Sequence, residues 1–202
     1  QGIKEAHERN KKFFLTVNTL PHNSKLKTFV SDMEPLIAMK PDALIMADPG
    51  LIMTVREKWP EMPIHLSVQA NTTNYWGVKF WQNIGVERII LSRELSMEEI
   101  AEIRQECPDI ELEVFIHGAL CIAYSGRCLL SGYFNHRDPN QGTCTNSCRW
   151  DYKVHNAVES DAGDAQLLQG FNFEKAQEEA NQNFEGINGQ KRHPYADKVF
   201  LI

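Results

Sequence analysis

Short apolar runs recur about every 21 to 31 residues along the first 116 positions, and a stretch with helical periodicity separates each run from the next. Strand–helix–strand succession on that scale closes by parallel pairing with right-handed crossovers, so the chain is predicted to be an α/β protein. Strands are expected at 12–18, 43–47, 64–70, 88–91 and 110–116, and helices at 2–9, 25–39, 51–58, 74–84 and 96–106. Ser24 is expected to cap the helix 25–39, which carries Leu26, Phe29, Val30, Met33 and Ile37 on one face and Pro35 as a kink or early stop. Gly85 closes the helix 74–84, and Ser96-x-x-Glu99 forms a capping box. Such a sheet is either open and doubly wound or part of a (β/α)8 barrel. No G-x-G-x-x-G turn follows any strand, which weakens a dinucleotide-binding version. Five strands are fewer than eight, so a TIM-like barrel built from this chain is incomplete, with strands missing on both sides.

The apolar fraction of 42%, with four Trp and ten Phe, is enough for a core, and no apolar run reaches the roughly 18 residues that span a bilayer. A soluble, cytoplasmic protein without membrane contact is expected. The net charge is −6, but residues 159–186 hold seven acids against Lys175 alone, which leaves the remainder balanced. That balance excludes a strongly basic nucleic-acid surface, although Lys11 and Lys12, Lys25 and Lys27, or Arg127, Arg137 and Arg149 could meet phosphates locally. The organisation expected is a partial barrel over 1–155, an acidic mobile insertion over 156–196 with a helix at 173–182, and a further strand from 197 to 202. A short strand is expected at 152–155. The chain opens at Gln1, and its first residues resemble the back half of a helix, so a fragment of something longer is expected.

Four of the five cysteines, Cys121, Cys128, Cys144 and Cys148, fall within twenty-eight residues directly after the fifth strand, and the first 106 residues contain none. Their spacing is C-x6-C-x15-C-x3-C, with Gly126, Gly132 and Gly142 to let the loop 117–150 fold back. Disulfides would require an oxidising compartment and would leave Cys107 odd. Structural zinc favours paired tight knuckles, and only the second pair approaches one. An iron-sulfur cluster accepts four thiolates at irregular spacing, because the inorganic core sets the geometry. Cysteines packed in the core without a ligand are the remaining reading. Cys107, at the end of the helix 96–106, reads as an ordinary thiol.

Ligands of parallel α/β proteins gather at the carboxyl ends of the strands. The five exits carry Asn18 and His22, then Asp48, then Ser67, Gln69 and Asn71, then Arg93 and Glu94, then His117. Any one of these can be an ordinary polar loop residue. Together they could line a pocket for a polar, anionic molecule, with Arg93 and the histidines as cationic partners. Ser67 and Gln69 share parity on the third strand and are expected on one face, the interior of a barrel. Hydrolase signatures are poor: His7-Glu8 lacks the second histidine of H-E-x-x-H, no G-x-S-x-G elbow exists, and Ser125-Gly126 reads as a glycine turn. A Cys121 nucleophile with His117 as base is conceivable, but it would have to leave the thiolate set.

The runs F-I-H-G-A-L-C-I-A-Y-S-G-R-C-L-L-S-G-Y and G-T-C-T-N-S-C-R-W, together with N-T-L-P-H-N-S-K-L-K-T-F, P-D-A-L-I-M-A-D-P-G-L-I-M and I-H-L-S-V-Q-A-N, resemble the collagenase-like peptidases of unassigned catalytic type, family U32. The likeness extends over residues 1 to about 152 and is strongest to the family's tRNA-hydroxylating members. It implies a (β/α) barrel in a chain about twice this length, and a four-iron four-sulfur (4Fe-4S) cluster on Cys121, Cys128, Cys144 and Cys148. It also implies 5-hydroxyuridine formation at the wobble position of tRNA, with prephenate as co-substrate. On that resemblance His22, Asp48, Gln69, Arg93 and His117 surround the organic substrate, and Arg93 meets a carboxylate. Tyr124, Tyr133 or Trp150 could stack an unpaired base. The alternatives are a collagenase-like peptidase and a scaffold whose acidic 159–186 segment docks a partner.

Overall fold

The computed structural model describes residues 1–118, 121–152, 157–159 and 165–167. They fall in two compact units, Gln1–Ser147 and Cys148–Ile202. In the first, α1 (Gly2–Glu8) precedes β1 (Phe14–Val17), and four βα crossovers follow: α2 (Asn23–Ala38), β2 (Ala43–Met46), α3 (Pro49–Lys58), β3 (Ile64–Leu66), α4 (Tyr75–Asn83), β4 (Arg88–Ile90), α5 (Met97–Glu106) and β5 (Glu111–Glu113). The strands form one parallel sheet in the order β1-β2-β3-β4-β5. Consecutive order contains no reversal, so this sheet has no topological switch point of the doubly wound kind.

Side-chain alternation divides the sheet into two unlike faces. Leu15, Val17, Leu44, Met46, Ile64, Leu66, Ile89 and Leu112 share one face and pack with Met33, Leu51, Ile52, Val55, Val78 and Ile103 of the helices. Each such side chain, when fully buried, contributes roughly 1.5–3 kcal/mol. The opposite face carries a lateral row, Thr16, Ile45, His65, Arg88 and Glu111, in register. Arg88 bridges Glu111 at 2.6 Å and Glu113 at 3.4 Å, and its guanidinium lies 5.1 Å from the Phe14 ring centroid. Phe14 meets His65 edge-on at 4.6 Å. Burial, assisted by the Arg88 charge, depresses the His65 pKa to about 4, so the imidazole is neutral at physiological pH.

Several local expectations are corrected. Ser24 does not cap α2: the extended backbone ends at His22, which is the N-cap without a side-chain bond, so Ser24 already lies in the first turn. Pro35 neither stops nor shortens that helix, which runs sixteen residues to Ala38. The cost of one lost backbone bond is offset where Met33, Leu36 and Ile37 pack on the core. The third strand ends at Leu66, and Val68–Ala70 is a 3-10 turn, so Ser67 and Gln69 do not share a strand face. The fifth strand is an edge strand of three residues, and Phe115 and Ile116, expected within it, are exposed. The Ser96–Glu99 capping box is present, with both reciprocal bonds formed.

In the second unit, Ala157–Glu159 (β6) pairs antiparallel with Ala165–Leu167 (β7), within the stretch expected as an acidic, mobile insertion. The helix expected at 173–182 and the strand at 197–202 lie outside the described residues, as does most of the strand expected at 152–155.

Candidate functional site

The loops that leave β1, β3 and β4 are gathered by side chains of the segment that follows β5. After β3, Ser67 accepts from Asn18 Nδ2 at 3.1 Å and from the Gln69 amide at 3.3 Å, which turns the chain into its 3-10 step. Asn71 then takes the left-handed conformation (φ 51°), and its amide donates to the Gln69 carbonyl at 3.1 Å and to the Ser125 carbonyl at 2.6 Å. Arg93, beyond β4, donates from Nη2 to Ser125 Oγ at 2.6 Å. Gly126 has φ +72°, and a Cβ there would sit 3.0 Å from the Gln69 carbonyl oxygen, so only glycine lets the loop rest directly on the β3 exit. A second tie runs to the β1 exit: Leu20 N–H donates to the Asn140 carbonyl at 3.3 Å, and Gln141 Nε2 donates to the Leu20 carbonyl. Asn140 Nδ2 in turn donates to the Cys128 carbonyl at 3.0 Å.

Among the described residues, four buried polar atoms at these exits have no partner: Arg93 Nε, Gln69 Oε1, Asn71 Oδ1 and Thr72 Oγ1. Each such group costs about 1–3 kcal/mol unless a ligand or water meets it. Of the predicted site residues, Gln69 and Arg93 belong to this group, joined by Asn71, and Asn18 lies beside it on Ser67. Asp48 has another task, since its Oδ1 accepts from the Leu51 amide at 2.9 Å and caps α3. His22 and His117 stand exposed at their exits and are not part of the hydrogen-bonded group. Ser125, read from sequence as a mere glycine turn, is the hub. The only sequence signal for it is the glycine that follows.

The cysteine segment is organised by polar side chains. Helix α6 (Leu130–Asn135) carries Ser131, whose buried hydroxyl accepts from the Thr145 amide at 3.0 Å, and Asn135, whose amide donates to Thr145 Oγ1 and Ser147 Oγ, each at 3.0 Å. Cys144 Sγ accepts from the Asn146 backbone amide at 3.3 Å. All five cysteines are free; Cys121 and Cys144 are exposed, and Cys128 and Cys148 are half-buried. Cys107 is the buried thiol expected at the end of α5, its pKa raised by burial. Among the described residues no three His, Cys, Asp or Glu side chains converge enough to hold a metal ion. Within the first unit, Cys121, Cys128 and Cys144 therefore suit an iron-sulfur cluster in chemistry but do not converge on one point.

A cavity of about 460 Å³ opens at the other end of the sheet, lined by Lys12, Asp42, His65, Arg88 and Glu111 among others. None of the predicted site residues lines it. There Asp42 is paired with His7 and the Phe13 amide and Arg88 with Glu111, while the buried His65 Nδ1 has no partner.

Parallel βα units with polar strand exits beneath a cysteine-bearing segment define the class, and the chain belongs to Peptidase family U32, which it matches over residues 1–191. It is 68% identical to tRNA hydroxylation protein P of Haemophilus influenzae over 162 residues, 80% of this chain and 35% of that protein. It is 36% identical to the 23S rRNA 5-hydroxycytidine C2501 synthase of Escherichia coli over 149 residues, 74% of this chain and 22% of that enzyme. An uncharacterized protease of Methanocaldococcus jannaschii is 41% identical over 160 residues, 77% of this chain and 39% of that protein. The chain thus spans about a third of the length of the tRNA hydroxylation proteins P that it matches. Among the described residues no helix is long and apolar enough to cross a membrane.

Proposed function

We propose that this chain is the strand-exit and cysteine-bearing part of a (β/α)-barrel enzyme that hydroxylates tRNA, forming 5-hydroxyuridine at the wobble position with prephenate as co-substrate. The observation that carries the reading is the 68% identity to a tRNA hydroxylation protein over 162 residues, 80% of this chain. The rRNA relative, a 5-hydroxycytidine synthase by name, supports the same class of chemistry on a pyrimidine ring. Gln69 and Arg93 would hold the organic acid, the guanidinium against a carboxylate. His22, Asp48 and His117 are proposed as further contacts at neighbouring exits, Asp48 acting through the start of α3. Tyr124 and Tyr133, both exposed, offer faces on which an unstacked anticodon base can lie, and Trp150, in the second unit, is a third.

We further propose that Cys121, Cys128, Cys144 and Cys148 hold a 4Fe-4S cluster. When bound it would supply one-electron chemistry or rigidity. Support comes from the donor set and from the amide that already faces Cys144 Sγ. The peptidase alternative draws on a relative's name, whereas Ser125 Oγ is engaged with Arg93 rather than with a base.

The test is tRNA from cells whose intact protein carries Arg93→Ala or Cys144→Ala, digested and measured for 5-hydroxyuridine by mass spectrometry. Both variants are expected to abolish the nucleoside; normal levels in both would refute the enzyme reading. Iron and sulfide near four each per chain in an oxygen-free preparation, lost in Cys144→Ala, is the result expected of the cluster.

A further inference from the structure

The geometry points to Ser125 as a positioning residue that sets the closed position of the segment between Cys121 and Cys128 over the β3 and β4 exits, so that a ligand bound at those exits and the order of that segment are coupled. The inference deepens the functional reading above and rests on it.

Ser125 supplies two oxygens to two different exits. Its hydroxyl takes a donor of Arg93 and its carbonyl takes a donor of Asn71, both at 2.6 Å. The first bond is charge-assisted and fixes one arm of the guanidinium, which otherwise swings on a long flexible stem. The second fixes Asn71, whose amide also holds the Gln69 carbonyl, so the β3 and β4 exits are locked through one serine. Gly126 completes the contact by laying its backbone against that same carbonyl.

What Ser125 leaves over is a donor, Arg93 Nε, and two acceptors, Gln69 Oε1 and Asn71 Oδ1, all shielded from water. A small hydroxy acid supplies the complement: a carboxylate for the guanidinium and a hydroxyl proton for an amide oxygen. Because these atoms are covered, the acid enters with the segment raised, and the segment then closes on it. Prephenate carries both groups and is the probe. By linkage, a ligand that prefers the closed segment must also protect it.

The experiment compares the intact wild-type protein with Ser125→Ala and Ser125→Thr by calorimetric binding of prephenate and by the rate of tryptic cleavage after Arg127. Prephenate is expected to slow cleavage of the wild type several-fold. Ser125→Ala should weaken prephenate binding about tenfold, the usual scale for a hydrogen bond to a charged group, and should lose the protection. Threonine, which keeps the hydroxyl, should restore both to within about threefold. Wild-type binding with unchanged affinity in Ser125→Ala overturns the inference and leaves the functional reading standing. Wild-type binding without protection of Arg127 does the same, and it does so even if Ser125→Ala fails to fold. Absence of prephenate binding by the wild type brings down the functional reading and the inference with it.

Discussion

The sheet with its helices and the segment 114–147 are built on opposite principles. In β2 and β3, Ala43, Leu44, Met46, Ile64 and Leu66 have no exposed surface, and the helices that cover them contribute apolar side chains alone to the shared core. In the cysteine segment, Ile116, Leu129 and Tyr133 are 93%, 77% and 80% exposed, and among its described residues the buried side chains are those of Ser131 and Ser147. The frame is held by area, which is tolerant in detail and large in sum. The segment is held by directional bonds among Ser125, Ser131, Asn135, Asn140, Gln141 and Thr145, few in number and each consequential. A region built in the second way can be rearranged without unfolding the first.

That contrast can be broken most forcefully from the core. Leu66→Ala should destabilise the frame by about 3 kcal/mol and carry the segment with it, lowering the midpoint of a single denaturant transition followed by circular dichroism. Two separated transitions would instead show that the segment is independent of the sheet.

Acid acts on the frame through His65. Its pKa of about 4 in the folded protein lies below the ordinary value of 6.5, so the unfolded chain binds the extra proton between these values. The stabilisation from the neutral ring is complete above pH 6.5 and is lost as pH falls toward 4, by up to about 3 kcal/mol at the lower limit. Lys12 and Arg88 oppose protonation there and Glu111 favours it. Thermal melts of the wild type and His65→Asn from pH 7.5 to 4 should converge as the pH drops, and parallel curves would remove His65 from the account.

Within the segment, Asn135→Ala removes two hydrogen bonds beside the buried hydroxyls and should cost about 1–2 kcal/mol. Amide exchange should then quicken across 130–147 and stay unchanged in β2 and β3; uniform quickening would erase the distinction between the two regions. Smallest is the loss of the capping box: Ser96→Ala should cost about 1 kcal/mol and fray only the start of α5, as read by exchange at the amides of residues 97–99.

The frame was legible because its signals are local. Apolar runs, the Ser96 cap, the glycine after α4 and the thiol closing α5 each follow from a few neighbouring residues. Ser24 misled because a good cap type stood two places past the last extended residue. The stretch 64–70 misled because an apolar alternating run looks the same whether or not the chain turns halfway, and here Ser67 turns it by accepting from its neighbour's amide. Gln69 and Arg93 were candidates from strand-exit reasoning, whereas Ser125, which the structure bonds to Arg93 and Asn71, was not. Its partners lie 54 and 32 residues away, and nothing near it in sequence distinguishes it from any serine before a glycine.

The sequence by itself determined the order of strands and helices, the parallel sheet and the family, because hydrophobic period and residue spacing act over the reach of a single turn or strand. Only the tertiary structure decided which polar exits meet and which face of the sheet carries His65 and Arg88. It alone set the serine that joins two loops to the cysteine segment, since those pairings depend on strand register and on loops converging from distant parts of the chain.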